Sequence, residues 1–178
     1  MAYLLSIPLL VAGLLVGLYL PDLDQAVPFL LHRSILTHNA FLPLLLGLLL
    51  RRQKRPAWRL LAVGLSEGLA VHFAFDLFPR AWIGYALISL PFVGRTSPFF
   101  SWLWTALSIV LGLVVVVVLV RNGLEVGLAA AGLVGAFAWY APTQRVLVWG
   151  ELLTLSVAMV VALSLRRWYA WRRGRRRW

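Results

Sequence analysis

The sequence predicts an all-α, polytopic membrane protein: a transmembrane helical bundle of about six spans with both termini cytoplasmic. Three observations predict it. The chain of 178 residues is 62% hydrophobic with a mean hydropathy of +0.87, and its apolar residues fall in long runs nearly free of charge. Its net charge of +11 comes from basic residues gathered in short runs beside those apolar stretches. That arrangement orients a protein in a bilayer, and it leaves no reason to expect nucleic acid as a partner. The absence of cysteine excludes disulfides, thiolate metal ligands and a Cys nucleophile.

The elements follow in order. Tyr3 to Leu20 is apolar and long enough to span, and Met1-Ala2-Tyr3 lacks the basic start of a signal peptide, so an uncleaved first helix is expected. From Pro21 to His38 the chain is polar and broken by Pro21 and Pro28, and it begins as a loop. The apolar run Asn39 to Leu50 is too short to cross a roughly 30 Å core at 1.5 Å per residue, so the second helix is expected to start near Arg33 or Ser34. After the basic loop 51–56, a third span runs from Ala57 to Phe78 and is stopped by Pro79. Arg80 to Phe100 is aromatic-rich and interrupted by Gly84, Pro91, Gly94 and Pro98, which suits an interfacial or re-entrant segment. Ser101 to Val120, the Gly/Ala-rich Leu124 to Ala141, and Val146 to Leu165 are three further spans. Residues 166–178 form a basic, aromatic tail suited to the membrane surface. The whole chain reads as one membrane domain, with a motif-bearing half at 1–98 and three more spans at 99–165.

Six spans with the amino terminus inside put residues 51–59, Arg121 and the tail in the cytoplasm, and these hold 13 of the 17 basic residues. The same topology brings two otherwise distant stretches, 20–38 and 72–76, to the external side of an inner membrane.

Those stretches hold all three histidines and three of the six acids. Neutral imidazole and carboxylate are the ligands of Zn²⁺, Mn²⁺ and Fe²⁺, so Asp22, Asp24, His32, His38, His72 and Asp76 are the candidate metal ligands. Asp22 and Asp24 flank one residue of a turn, and the bland alternative for them is a helix-ending loop. His72 and Asp76, four apart, share a helix face, where an interhelical hydrogen bond is the rival account. Ionisable groups at such depth are costly and mark function. Arg33 beside His32 suits a bidentate grip on phosphate, or snorkelling to headgroups. Thr37 is placed to support a ligand or cap a helix. Glu67 lies about 140° from His72 round its helix and reads as an interhelical hydrogen-bond partner. Glu151 pairs as well with Arg145 as with a metal.

Pro21-Asp22-Leu23-Asp24, His32-Arg33-Ser34-Ile35-Leu36-Thr37-His38 and Gly68 to Asp76 together resemble the motifs of the YdjM-like inner-membrane metal-dependent hydrolases, over about residues 10–98. That resemblance implies a distant relation to zinc-dependent phospholipase C and P1-type nucleases, and so to phosphoester hydrolysis. The chain departs from the pattern at Gln25, Asn39 and Val71, where relatives often carry His, Ser and Ser; these changes remove supporting or optional ligands. The reading that follows is a metal-dependent hydrolase, most plausibly of a phosphoester in a lipid, with zinc the first choice of metal and manganese, magnesium or iron compatible. Asp22, Asp24, Arg33 and His38 are its candidate catalytic residues. The rivals are an ion-binding or transport protein without catalysis, and a structural membrane subunit with a metal-stabilised helix cluster.

Overall fold

The computed structural model describes residue 3 and residues 5–27, 29–79, 86–144 and 148–175. Among these the chain is all-helical apart from one small hairpin. Six α-helices follow in order: α1 (Ser6–Tyr19), α2 (Phe41–Leu50), α3 (Pro56–Leu77), α4 (Pro98–Leu119), α5 (Gly123–Gln144) and α6 (Trp149–Arg175). A 3₁₀ turn (Pro21–Ala26) follows α1, and a two-stranded antiparallel hairpin, β1 (Ser89–Leu90) and β2 (Gly94–Arg95), precedes α4.

Four helices, α3 to α6, are long and apolar enough to cross a membrane, while α1 and α2 are apolar but shorter. The expectation of about six spans is therefore met by length in four. The ten residues of α2 cover only about 15 Å. It starts at Phe41 rather than at Arg33 or Ser34 because residues 32–38 are committed elsewhere. Arg33 sits at φ 59°, outside helical space. Its carbonyl accepts from the Ser89 N–H, and the Ile35 N–H donates to the Ser89 carbonyl, both at 2.9 Å. Just before α2 the Asn39 side chain ties the turn together, accepting from the Phe41 N–H at 2.7 Å while its amide donates back to the Ile35 and Leu36 carbonyls.

The α3 helix is the hub, almost wholly buried and packed against the other five helices. Its tightest neighbour is α1. Gly13 and Gly17 on α1 face Gly64 and Gly68 on α3, each pair spaced four apart. A Cβ at Gly64 would overlap the Leu10 carbonyl oxygen, and one at Gly13 would overlap that of Leu61. Small residues at this spacing let two backbones touch, which is how apolar helices associate where lipid offers no hydrophobic drive.

Polar groups lie inside this bundle and apolar ones outside. Val134, Leu153 and Val160 stand exposed on α5 and α6, the reverse of a water-soluble helix and the expected face toward acyl chains. At the first turn of α3, buried Arg59 pairs with Glu125 of α5 and donates to the Leu119, Gln53 and Lys54 carbonyls. This network ties the basic loop and the start of α5 to one end of α3. Glu125 also accepts from the Tyr3 hydroxyl and the Arg121 N–H.

Ser97 caps α4, its hydroxyl accepting from the Phe100 N–H, and Pro98 follows at the first helical position. Of the segment expected to be interfacial or re-entrant, residues 80–85 lie outside the described residues. The remainder up to Ser97 is the hairpin and its flanks. The basic stretch after Leu165 continues α6 as far as Arg175, with the Arg172 guanidinium 4.2 Å above the Trp168 ring.

Candidate metal centre

The site forms at the end of α3 opposite Arg59. His72, buried, and Asp76, half-buried, lie on one face of its last two turns, as their four-residue spacing dictates. His38 arrives from the irregular segment before α2, anchored where the Trp104 indole of α4 donates to its carbonyl at 2.7 Å. The His38 and His72 Nε2 atoms lie 3.2 and 3.3 Å from Asp76 Oδ2, and the ligand atoms of all three residues fall within 4.8 Å of one another.

Each member is held from behind. His72 Nδ1 lies 2.8 Å from the Leu18 carbonyl of α1 and 3.0 Å from the Tyr140 hydroxyl of α5. A carbonyl only accepts, so Nδ1 carries the proton and Nε2 presents its lone pair toward Asp76. His38 Nδ1 lies 3.0 Å from Thr37 Oγ1 and 3.3 Å from Asp24 Oδ2, which turns its Nε2 to the same point. Asp76 Oδ1 accepts from the Arg33 guanidinium at 2.7 Å, leaving Oδ2 toward the histidines.

The consequence is electrostatic. Buried His38 Nε2 and Asp76 Oδ2 have no hydrogen-bond partner, and a lone pair faces a carboxylate with nothing between. Such an arrangement calls for a cation, either a proton or a metal ion. The spacing fits a metal: ligand bonds of about 2.0–2.1 Å at the tetrahedral angle put neighbouring ligand atoms about 3.3 Å apart. His38, His72 and Asp76 are thus a group able to hold a metal ion.

Asp24 stands on the far side of His38. Fully buried, its Oδ2 accepts from the Ser34 N–H at 2.8 Å and lies 3.0 Å from Thr37 Oγ1, while its Oδ1 lies 3.6 Å from His32 Nδ1. Burial alone would raise its pKa, but contacts with His32 and His38 and the Ser34 N–H outweigh this and hold the carboxyl well below the usual range. Burial works in the opposite direction on His38, whose pKa is nonetheless raised to about 9 by Asp24 and Asp76 on its two sides.

The six candidate ligands therefore divide. His38, His72 and Asp76 converge; Asp24 and His32 form a layer behind His38; Asp22, half-buried, accepts from Gln25 Nε2 at 2.8 Å and does not join the three. Arg33 turns into the protein rather than out toward headgroups. Its guanidinium is 11% exposed and is taken up by Asp76 and the Ala86 carbonyl, because the left-handed turn at its own backbone points it inward. Thr37 supports the Asp24–His38 contact and does not cap α2, whose N-cap is Ala40. Glu67, expected to make an interhelical hydrogen bond, makes none: both carboxyl oxygens are buried without a partner, and one faces Gly132. Glu151 is also buried without a hydrogen-bond partner and outside the three; Arg145, its expected mate, lies outside the described residues.

Sequence reasoning missed Leu18, Tyr140 and Trp104. The Leu18 contact had a readable signal, because Gly13-x-x-x-Gly17 marks the α1 face that meets α3. Comparison with known protein families, with curated proteins and with solved structures returns no match to this chain.

Proposed function

We propose that the protein is a membrane-embedded, metal-dependent hydrolase of a phosphoester carried by a lipid. The observation that carries this reading is the convergence of His38 Nε2, His72 Nε2 and Asp76 Oδ2 at distances a single metal ion would bridge. Two imidazoles and one carboxylate suit zinc best, though manganese or iron would accept the same set. A divalent ion held by only three protein ligands supplies a Lewis acid and, by lowering the pKa of water, a nucleophile at neutral pH.

The chain's own residues do the rest. Asp24 and Thr37 fix the His38 ring through Nδ1. The Leu18 carbonyl does the same for His72, and Arg33 holds Asp76 so that only Oδ2 turns inward. Asp22, half-buried beside the centre's turn, is the carboxylate left to take a proton as general base. His32, partly exposed above Asp24, is placed to steady an approaching anion. The resemblance to the YdjM-like hydrolases points the same way.

A lipid-borne substrate is favoured by the hairpin. Its tip carries Phe92 and Val93, which are 95% and 80% exposed, and its β1 strand is bonded to the Arg33–Ile35 backbone of the site. Apolar side chains in such a position enter a bilayer surface and bring the site to headgroup level. The positive-inside bias supports an orientation with that surface on the external face and both termini cytoplasmic. In this cysteine-free chain, a cysteine introduced at Gln25 should react with an impermeant thiol reagent from outside; protection there with labelling at Gln53 would invert the orientation.

Metal analysis of the purified protein, joined to a lipid-phosphoester hydrolysis screen, tests the function. Bound metal that disappears in His72→Ala and Asp76→Ala, together with turnover lost in the same variants, is the expected result. Metal without turnover would leave the rival reading, an ion-binding or structural centre. Absence of metal would leave a protonated His38 bridging Asp24 and Asp76.

A further inference from the structure

At the end of the bundle opposite the metal centre, a groove of about 410 Å³ opens between α2, α4 and α6. The face of α4 around Val114 and Val118 lies open there, between Leu48 of α2 and Leu165 of α6. The volume lies within the roughly 300–1,000 Å³ of small-molecule sites.

Its chemistry is divided along its length. The walls are aliphatic, with Leu48 on one side and Leu165 on the other. Two guanidiniums stand on opposite sides of it, Arg51 at the end of α2 and Arg166 on α6, and no acidic residue lines it. Arg121 adds a third positive charge nearby, its guanidinium donating to the Arg51 carbonyl at 2.6 Å. Trp168 and Tyr169 complete the same end, and these are the side chains that sit at the level of lipid headgroups.

We infer that this groove is a binding site for one anionic phospholipid, with an acyl chain along α4 and the phosphodiester between Arg51 and Arg166. Arginine suits the role because its planar fork meets phosphate oxygens in pairs. A zwitterionic lipid offers the same chain but carries a cationic group that the two arginines repel. A free phosphate offers the charge but gains nothing from the aliphatic walls. The site is independent of the metal centre and of which way the protein faces.

Native mass spectrometry of the full-length protein, delipidated in mild detergent and titrated with phosphatidylglycerol or phosphatidylcholine, tests it. The parent should retain one phosphatidylglycerol at about tenfold lower concentration than phosphatidylcholine, and excess inorganic phosphate should not displace it. Arg51→Gln combined with Arg166→Gln changes two exposed side chains and should abolish that preference while leaving the melting temperature in detergent unchanged. Arg52→Gln, outside the groove, should leave the preference intact. Val118→Trp, which fills the groove, should remove retention of both lipids; if it does not fold, the double Gln variant decides alone. Equal retention of the two lipids by the parent, displacement by phosphate, or parental selectivity in the double variant would overturn the assignment.

Discussion

Replacing Asp24 with Asn separates what supports the centre from what binds the metal. Asp24 lies behind His38 and outside the converging three, so its loss should weaken the metal without abolishing its binding. Asn keeps the shape and one carbonyl oxygen for the Ser34 N–H, but it removes the charge that Thr37 Oγ1 and His38 Nδ1 face at 3.0 and 3.3 Å. Groups that orient a metal-binding histidine typically contribute 10–100-fold in affinity, or about 1.4–2.7 kcal/mol. Asp24 should fall at the upper end, because it is fully buried and meets two histidines at once. Competition for zinc against a chromophoric chelator, in detergent, measures the change directly. Asp76→Asn, assayed alongside, should retain no measurable zinc. Two outcomes refute the reasoning: affinity in Asp24→Asn within threefold of the parent, or a loss as complete as that of Asp76→Asn, which would make Asp24 itself a ligand.

Three further outcomes are expected. Arg33→Lys should lower zinc affinity or turnover about tenfold, because one ammonium cannot hold both Asp76 Oδ1 and the Ala86 carbonyl as the guanidinium fork does; parental kinetics would show the fork to be idle. Gly64→Ala should cost about 1–3 kcal/mol of stability, since its Cβ meets the Leu10 carbonyl, and should lower metal occupancy through His72; thermal unfolding in detergent with metal analysis reads both. Zinc must displace the proton of His38, whose pKa is raised to about 9. Affinity should therefore rise about tenfold per pH unit from 7 to 8 and level off above 9. In the metal-free protein the sign reverses: the stability gained from protonated His38 is complete below its unfolded pKa of about 6.5 and is lost as pH rises through 9. A flat zinc titration between pH 7 and 8 would rule out a protonated His38.

The helical class was legible because apolar runs of such length have few other uses, and the facing of His72 and Asp76 followed from helical spacing alone. The start of α2 was not legible. It depends on Ser89, more than fifty residues downstream, capturing the backbone around Arg33, and a backbone hydrogen bond leaves no mark on residue type. The inward turn of Arg33 was hidden for the same reason, since its left-handed φ answers to that pairing. The Leu18 carbonyl behind His72 could not be named from its side chain, whereas the glycines that bring it there could have been noticed. Tyr140 and Trp104 lie on helices that carry no motif, where an aromatic residue near an interface ordinarily signals lipid contact. Glu67 was read as hydrogen-bonded because a buried carboxyl usually is. Among the described residues no hydrogen-bond partner meets it, and the sequence holds no sign of that.

The contact of α1 with α3 also sets an order of assembly. The glycines that meet are 51 residues apart in the chain (64 − 13), so α1 must wait in the bilayer until α3 has been made and inserted. Only then does the Leu18 carbonyl reach His72 and fix which nitrogen is bare. Full-strength metal binding, if the centre holds an ion, would then belong to the finished bundle rather than to the emerging chain. Tight metal binding would report that the first helix has docked, and a chain stalled before docking would contain every ligand yet bind the ion more weakly.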